Sequence, residues 1–526
     1  MYDYVIVGAG SAGCVIAGRL SEDRDVRVAL VEAGGRDGRP EIAMPIAFPM
    51  LLKSSVDWDL YGEQEPGLGG RRLYLPRGKV LGGSGSINAM IYIRGNRADY
   101  DGWAAGGAQG WSYDEVLPYF KRSEDNERGE DGFHGVGGPL SVADSRAMSP
   151  LVESMLEAAE LSGLDYNPDF NGARQEGVGR FQLTQRDGRR HSTAAAFIRP
   201  VEARPNLDVI TDALALGILF EGTRAVGVEV SRNGGVEQVR AEREVILSAG
   251  AYQSPVLLMI SGIGPAEDLA PYGMEVRENL PVGHNLQDHC MCQLNYETDE
   301  PSLFGAFAAA NFALYESEGR GPLTSNIPEA AAFFHTQPGL EAPDMQFHFA
   351  PSMFYDEGLT APHDHGYCFG PVVIKPTSRG RVLLRAPLAD SKPRVLCNFL
   401  TTEEDRRCMI AGLRKALEVA AQEPLRKAMR RPFSVPAGDS DEEVMAFVRR
   451  AAQTVYHPTS TCAIGSVVDP ELRVYGVEGL RVVDASVMPT ITRANTNAAT
   501  IMIAEKAADL IRERRPESQR VEERVS

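Results

Sequence analysis

The chain of 526 residues is 43% hydrophobic and 24% charged. That is the balance of a soluble globular protein, and the length excludes one simple core, so two or more domains are expected. The 54 basic and 72 acidic side chains give a formal net charge of −18, which argues against nucleic acid or an anionic membrane surface as the main partner.

In chain order, Tyr4-Val5-Ile6-Val7 is an apolar, β-branched run suited to a buried parallel strand. Gly8-Ala9-Gly10-Ser11-Ala12-Gly13 follows, then a helical pattern through Val15, Ile16, Ala17 and Leu20. In this Rossmann-type fingerprint Gly8 permits a tight turn and Gly10 lets a pyrophosphate approach the helix N-terminus. Gly13 lets the helix pack on the strand. A second strand over 26–31 ends at Glu32, about 20 residues on, where an acid binds both ribose hydroxyls and repels a 2′-phosphate. A glycine turn without a ligand is the bland alternative; strand, turn, helix, strand and acid in that order disfavour it. The first strand begins at residue 2, so no signal peptide is expected. No apolar run is long enough to span a bilayer. The seven cysteines are scattered and odd in number, which fits reduced thiols in a cytoplasm. Cys290-x-Cys292 has no second pair at metal-site spacing, so no metal is expected.

Residues 1 to about 150 alternate strand and helix patterns. Residues 132–140 read as a turn feeding a strand, and 150–164 as an amphipathic helix. Residues 206–211, 213–220 and 225–231 read as a three-stranded meander, and 244–248 as a strand leading into Ala249-Gly250. This describes a region 1–290, mostly dinucleotide-binding (about 1–150 and 200–290). A substrate-binding domain is expected at 291–450, with strands at 346–350 and 380–385 and helices at 403–421 and 440–452. Residues 451–512 return to the first domain through a strand at 479–484 and a helix at 497–512, and 513–526 form a charged tail.

Several longer stretches carry more specific information. Residues 78–88 read GKVLGGSGSIN, with Tyr92 and Gly95 beyond. Residues 250–264 hold Gly250, Ser254-Pro255, Leu257-Leu258 and Ser261-Gly262-Ile263-Gly264. Residues 282–289 read VGHNLQDH; Tyr456-His457-Pro458 follows later, then VDASVMP at 483–489 and Asn495-Thr496-Asn497. Together they resemble the glucose–methanol–choline (GMC) oxidoreductases, FAD-dependent enzymes that oxidise alcohols, over about residues 2–512. The resemblance implies an α/β fold, α+β overall. A Rossmann-type FAD-binding domain would carry a discontinuous substrate-binding domain built on an antiparallel sheet with helices.

Alcohol oxidation by a flavin removes a proton and a hydride, so a base must accept the proton, and a neutral imidazole suits that task near pH 7. The resemblance gives this part to His457. It gives Asn495, at a position where the family has His or Asn, the part of donor to the substrate oxygen. It implies noncovalent FAD held by Gly8, Gly10, Ser11, Ala12, Gly13, Glu32, Ala33, Gly82, Gly83, Asn88, Ala89, Met90, Val209, Asp484, Ala485, Asn495 and Thr496. Val209 would touch the adenine. Ile87 stands where certain relatives carry a histidine bonded to the flavin, hence the noncovalent expectation. Ser460 departs from a glycine common in relatives. The other histidines (134, 191, 284, 289, 335, 348, 363 and 365) are read as structural or solvent-facing.

The substrate expected is a primary alcohol, aliphatic or aromatic, with sugars and choline left open. Two electron acceptors stay open as well, oxygen and a quinone or other carrier. Val455, matching a small apolar residue near the flavin of some oxidases, favours oxygen. A hydroxynitrile lyase, a flavin photodecarboxylase and a flavin-binding protein without turnover are remote alternatives. Residues 302–311 (SLFGAFAAAN) fit an access lid or a packed helix equally, and the oligomeric state is not read.

Overall fold

In the computed structural model, which describes residues 1–147 and 149–512, the strand Tyr2–Val7 lies inside a seven-stranded sheet. Val28–Val31 and then Leu207–Ile210 run parallel to it on one side. Gly235–Leu247 and then Leu480–Val482 run parallel on the other. A strand covered on both faces needs apolar residues at every position, and Val5, Ile6, Ala29 and Leu30 are all inaccessible. The helices Ser11–Leu20 and Asn497–Ile511 pack on each other, so the two ends of the described chain close one layer of this unit.

The meander is displaced by one strand from its predicted place. Leu207–Ile210 joins the parallel sheet, and the antiparallel meander is Leu214–Glu221, Arg224–Arg232 and the first half of Gly235–Leu247. That last strand is 13 residues long. Its first part, rich in Glu, Gln and Arg, has one face in solvent and pairs with Arg224–Arg232; Glu244–Leu247 pairs with Tyr4–Val7. The polar half hides the strand from a reading based on apolar runs.

A second sheet of eight strands is antiparallel throughout. Its order is Met429–Ser434, Leu294–Thr298, Gly366–Val373, Met345–Ala350, Ala330–Phe334 and Gly177–Arg180, with Cys290–Met291 pairing the interior strand Gly366–Val373 and Gln453–Thr454 pairing Cys290–Met291. The sheet thus takes strands from outside 291–450. Phe347, Phe349 and Phe369 pack with Phe334 in the core on one face. By the two-residue period of a strand, Gln346, His348 and Ala350 point to the other face. The helices Glu403–Ala420 and Asp441–Ala451 lie where the apolar periodicity predicts them. The predicted tail at 513–526 lies outside the described residues. Among the described residues no helix is long and apolar enough to cross a membrane.

The glycine fingerprint is built by backbone contact. Gly8 has φ +98°, and a Cβ on Gly13 would sit 1.9 Å from the Gly8 carbonyl oxygen. Gly13→Ala is therefore expected to destabilise the fold by at least the ~1–3 kcal/mol typical of overpacking. The check is thermal unfolding of the apoprotein; a melting temperature equal to wild type would contradict this packing.

Candidate active site

A continuous cavity lies where the carboxyl ends of the parallel strands face the antiparallel sheet, the usual crevice of open α/β sheets. Val7, Gly8, Val31, Glu32 and Ser248 line its parallel-sheet side, and Met291, His348, Ala350 and Cys368 its antiparallel side. Two helices begin on it. Ser11–Leu20 and Asn497–Ile511 have no side-chain cap and no acid in the first turn, so their first N–H groups and dipoles favour an anion there. Ser11 Oγ donates to Asn497 Oδ1 at 2.6 Å, tying the two helix starts together. Asn497 is the first residue of its helix rather than its cap.

Two carboxylates on this side are held by backbone amides. Glu32 accepts from the N–H groups of Ala9 and Gly34, each at 2.8 Å. Burial pushes its carboxyl up to about 7, against the pull of those amides. Asp484 accepts from Gly250 N (2.9 Å), Ser254 Oγ (2.6 Å) and Ser486 N (2.8 Å), and burial raises it too.

Most residues expected to hold the cofactor line the cavity. They are Gly8, Gly10, Ser11, Ala12, Glu32, Ala33, Gly83, Asn88, Ala89, Met90, Asp484, Ala485, Asn495 and Thr496. Three others do not. Gly13 is a packing contact. Gly82, at φ +88°, forms the turn whose N–H donates to Ala9 O at 2.7 Å. Val209 pairs with Leu30 in the edge strand, and the stretch Ala213–Ala215 beyond it reaches the cavity instead. A strand turns its middle residues to the faces of the sheet, and the segment leaving its carboxyl end reaches the crevice. Ile87 is a wall residue. Residues 302–311 contribute nothing to the lining. Ala306 packs in a cluster with Ile46, Tyr315 and Leu323 behind the wall residue Ile327, while Phe304 and Phe307 face solvent.

At the antiparallel side His457 and Asn495 meet, His457 Nε2 lying 3.2 Å from Asn495 Nδ2. His457 follows the strand Gln453–Thr454, and its backbone is set by Asp288. One oxygen of Asp288 accepts from His457 N and His289 N, both at 2.8 Å, and the other from Thr454 Oγ1 at 2.6 Å. Arg77 donates to Tyr456 O, and Tyr456 has φ +71°, a left-handed backbone uncommon for a bulky residue. Ser460, at φ +73°, sits in the same left-handed region, a backbone that favours glycine. The loop carrying Asn495 is anchored by buried Asp99, which accepts from Arg493 N at 2.7 Å and Arg493 Nη1 at 2.6 Å.

The His457 ring is deep in the protein yet open to the cavity. Burial, with His289, His348 and Arg77 nearby, holds its pKa well below 6.5. Asp288 is itself pushed up to about 6 by burial.

The sequence reading missed four side chains here. His289, read from the sequence as structural or solvent-facing, has its Nδ1 3.0 Å from His457 Nδ1. His348 and Gln293 line the cavity, and each has a buried polar atom (His348 Nε2, Gln293 Oε1) without a partner. Gln346 Nε2 donates to Asn495 Oδ1 at 3.4 Å. The stretch VGHNLQDH held a signal for His289; the other three come together only through strand register. Met291, Phe354, Cys368 and Val455 add apolar lining, Arg77 also lines the cavity, and its two carboxylates, Glu32 and Asp484, are on the parallel-sheet side.

Comparison with known proteins gives matches over nearly the whole chain. Models of the GMC oxidoreductase N- and C-terminal regions match residues 2–291 and 376–504. A protein named alcohol dehydrogenase [acceptor] from Pseudomonas putida is 43% identical, over 97% of this chain and 96% of its own length. An oxygen-dependent choline dehydrogenase from Brucella anthropi is 41% identical, over 98% and 96%. The crystal structure of pyridoxine 4-oxidase from Mesorbium loti superposes with a TM-score of 0.89 at 33% identity, covering 98% of this chain and 99% of that one.

A Cβ on Gly10 would meet nothing closer than 3.9 Å within the protein, so Gly10→Ala should fold. It would intrude at the helix start where a pyrophosphate belongs, and FAD affinity is expected to fall at least about tenfold, 1.4 kcal/mol. Titration of the apoprotein with FAD measures this; wild-type affinity would place the pyrophosphate elsewhere.

Proposed function

The chain belongs to the GMC oxidoreductase family and is an FAD-dependent alcohol oxidoreductase, and we propose that it turns an uncharged primary alcohol, aliphatic or aromatic, into the aldehyde with His457 as base. The observation that carries this reading is the His457–Asn495 pair, 3.2 Å apart and facing the cavity. Bound FAD supplies the hydride acceptor and passes two electrons on. His457 supplies a lone pair on Nε2, free at neutral pH because burial disfavours its charged form. Asn495 supplies an N–H to the oxygen as negative charge develops there, without competing for the proton. The fingerprint residues Gly8 and Gly10, the two helix starts, Glu32 and Asp484 would hold FAD. With Ile87 at the wall, that attachment is noncovalent.

Oxygen is the acceptor in this reading. Val455 gives a small apolar wall near His457, and three relatives are named as oxygen-dependent. The relative named alcohol dehydrogenase [acceptor] favours a second reading, a quinone or similar carrier. The rate at which protein bleached anaerobically by alcohol turns yellow again in air decides between them. Failure to bleach with any alcohol would favour a lyase, a photodecarboxylase or a protein without turnover.

Two outcomes are expected. His457→Ala should keep FAD but slow anaerobic flavin reduction by about 10²–10⁴, the usual worth of a positioned base. In wild type the reduction rate should stay level through neutral pH and fall only well below pH 6.5, because a base with a lowered pKa loses its lone pair only in acid. Near-wild-type reduction in the variant would remove His457 from this role. Second, no carboxylate lines the cavity near His457, the buried Asp288 carboxylate being taken up by backbone N–H groups and Thr454, and Arg77 is close by, so a cation is disfavoured there. The neutral isostere 3,3-dimethylbutan-1-ol should then exceed choline in kcat/KM by at least about tenfold. Preference for choline would overturn the uncharged assignment.

A further inference from the structure

Gln346 is fully buried on the strand Met345–Ala350, two residues before His348 and on the same face of the sheet. It begins a run of four side chains. Its Nε2 lies 3.4 Å from Asn495 Oδ1, Asn495 Nδ2 lies 3.2 Å from His457 Nε2, and His457 Nδ1 lies 3.0 Å from His289 Nδ1. Amides and neutral imidazoles each offer one donor end and one acceptor end, so the run has two self-consistent directions. In one, Asn495 turns its N–H to His457; in the other, its carbonyl.

The His289 end selects between them. His289 Nε2 has no partner of ordinary hydrogen-bond geometry, and the backbone acceptors beside the ring belong to Ile374 and Thr492. Nδ1 faces His457 and carbonyls only accept, so we assign the ring proton of neutral His289 to Nε2. Nδ1 of His289 must then accept from His457 Nδ1–H. That leaves the lone pair of His457 on Nε2, toward the cavity, and Asn495 must present its N–H there and its carbonyl to Gln346.

We infer that Gln346 is a positioning residue: its Nε2–H holds Asn495 Oδ1 and thereby fixes the N–H of Asn495, not its carbonyl, toward the substrate oxygen. A reversed amide would set a lone pair against the developing alkoxide. The inference rests on the reading of His457 and Asn495 as the reacting pair.

The test uses the full FAD-loaded chain in anaerobic stopped flow with butan-1-ol. Gln346→Met keeps size and removes the donor, and should slow flavin reduction by about 3- to 10-fold, the worth of one hydrogen bond. FAD occupancy should be unchanged. So should the affinity for 2-methylpropan-2-ol, an alcohol with no α-hydrogen, read from the flavin absorbance. In an Asn495→Ala background, Gln346→Met should cost nothing further. Gln346→Glu adds a pH signature. A protonated carboxyl donates as Gln346 does, whereas an ionised one only accepts and turns Asn495 around, so reduction should slow as pH rises. His289 and His348, with pKa values lowered by burial to about 3 and 4, stay neutral across that range. Arg77 and Asp288, the other ionisable groups at His457, are common to variant and wild type. Unchanged reduction in Gln346→Met, an equal loss in the Asn495→Ala background, or a wild-type pH profile in Gln346→Glu would each overturn the inference. If His457→Ala and Asn495→Ala slow reduction while the Gln346 variants do not, only this inference fails. If neither slows it, the reading beneath it fails.

Discussion

The carboxylate of Asp288 is the interaction on which the arrangement of this site depends. It is buried, and it accepts the backbone N–H groups of His289 and His457 on one oxygen and the Thr454 hydroxyl on the other. Two segments 168 residues apart in sequence are thereby locked with their imidazoles in contact. The acid does not touch either ring through these bonds. It sets where the rings are and leaves their nitrogens for each other, for Asn495 and for the cavity. A buried carboxylate without such donors would be costly, so the local backbone has little freedom to move away from it.

The second constraint is the meeting of two sheets with different logic. The parallel sheet is apolar on both faces and exposes only the carboxyl ends of its strands, where helix N-termini supply unpaired N–H groups. The antiparallel sheet packs one face into an aromatic core and turns the other toward the cavity. Opposite His348 in register stand Ala331 and Gly370. Small residues there keep the wall open, and the alternate residues Phe347 and Phe349 are large because they fill the core. The cavity is a product of strand period rather than of a loop folded over an opening.

The electrostatic division of the cavity follows from the same construction. The parallel-sheet side carries Glu32 and Asp484, each satisfied by backbone amides, next to helix starts suited to an anion. The opposite side carries neutral histidines and amides, since burial disfavours charged imidazole. A wall of neutral imidazoles and amides with the Arg77 guanidinium beside it can move one proton and disfavours a cation.

The sequence by itself determined the elements whose chemistry is local. The run from Tyr4 to Gly13 required a strand, a tight turn and a helix, because only glycine tolerates the backbone contacts at Gly8 and Gly13. Glu32, Asp484, His457, Asn495 and Asn497 were legible from their motifs, and each lines the cavity. What the sequence did not determine was which strand stands beside which. Gly235–Leu247 hides half its length behind polar residues, so the meander was read one strand early, and Val209, expected at the cofactor, pairs inside the sheet while Ala213–Ala215 line the cavity. Gln346, His348 and Gln293 carry no motif; an isolated Gln or His in a strand pattern looks like any half-buried residue. Only the pairing of Met345–Ala350 with Gly366–Val373 and the return of the chain at 453–457 bring them to Asn495 and His457. Such contacts depend on register across a sheet, and register is fixed by the packing of both faces at once rather than by any one segment.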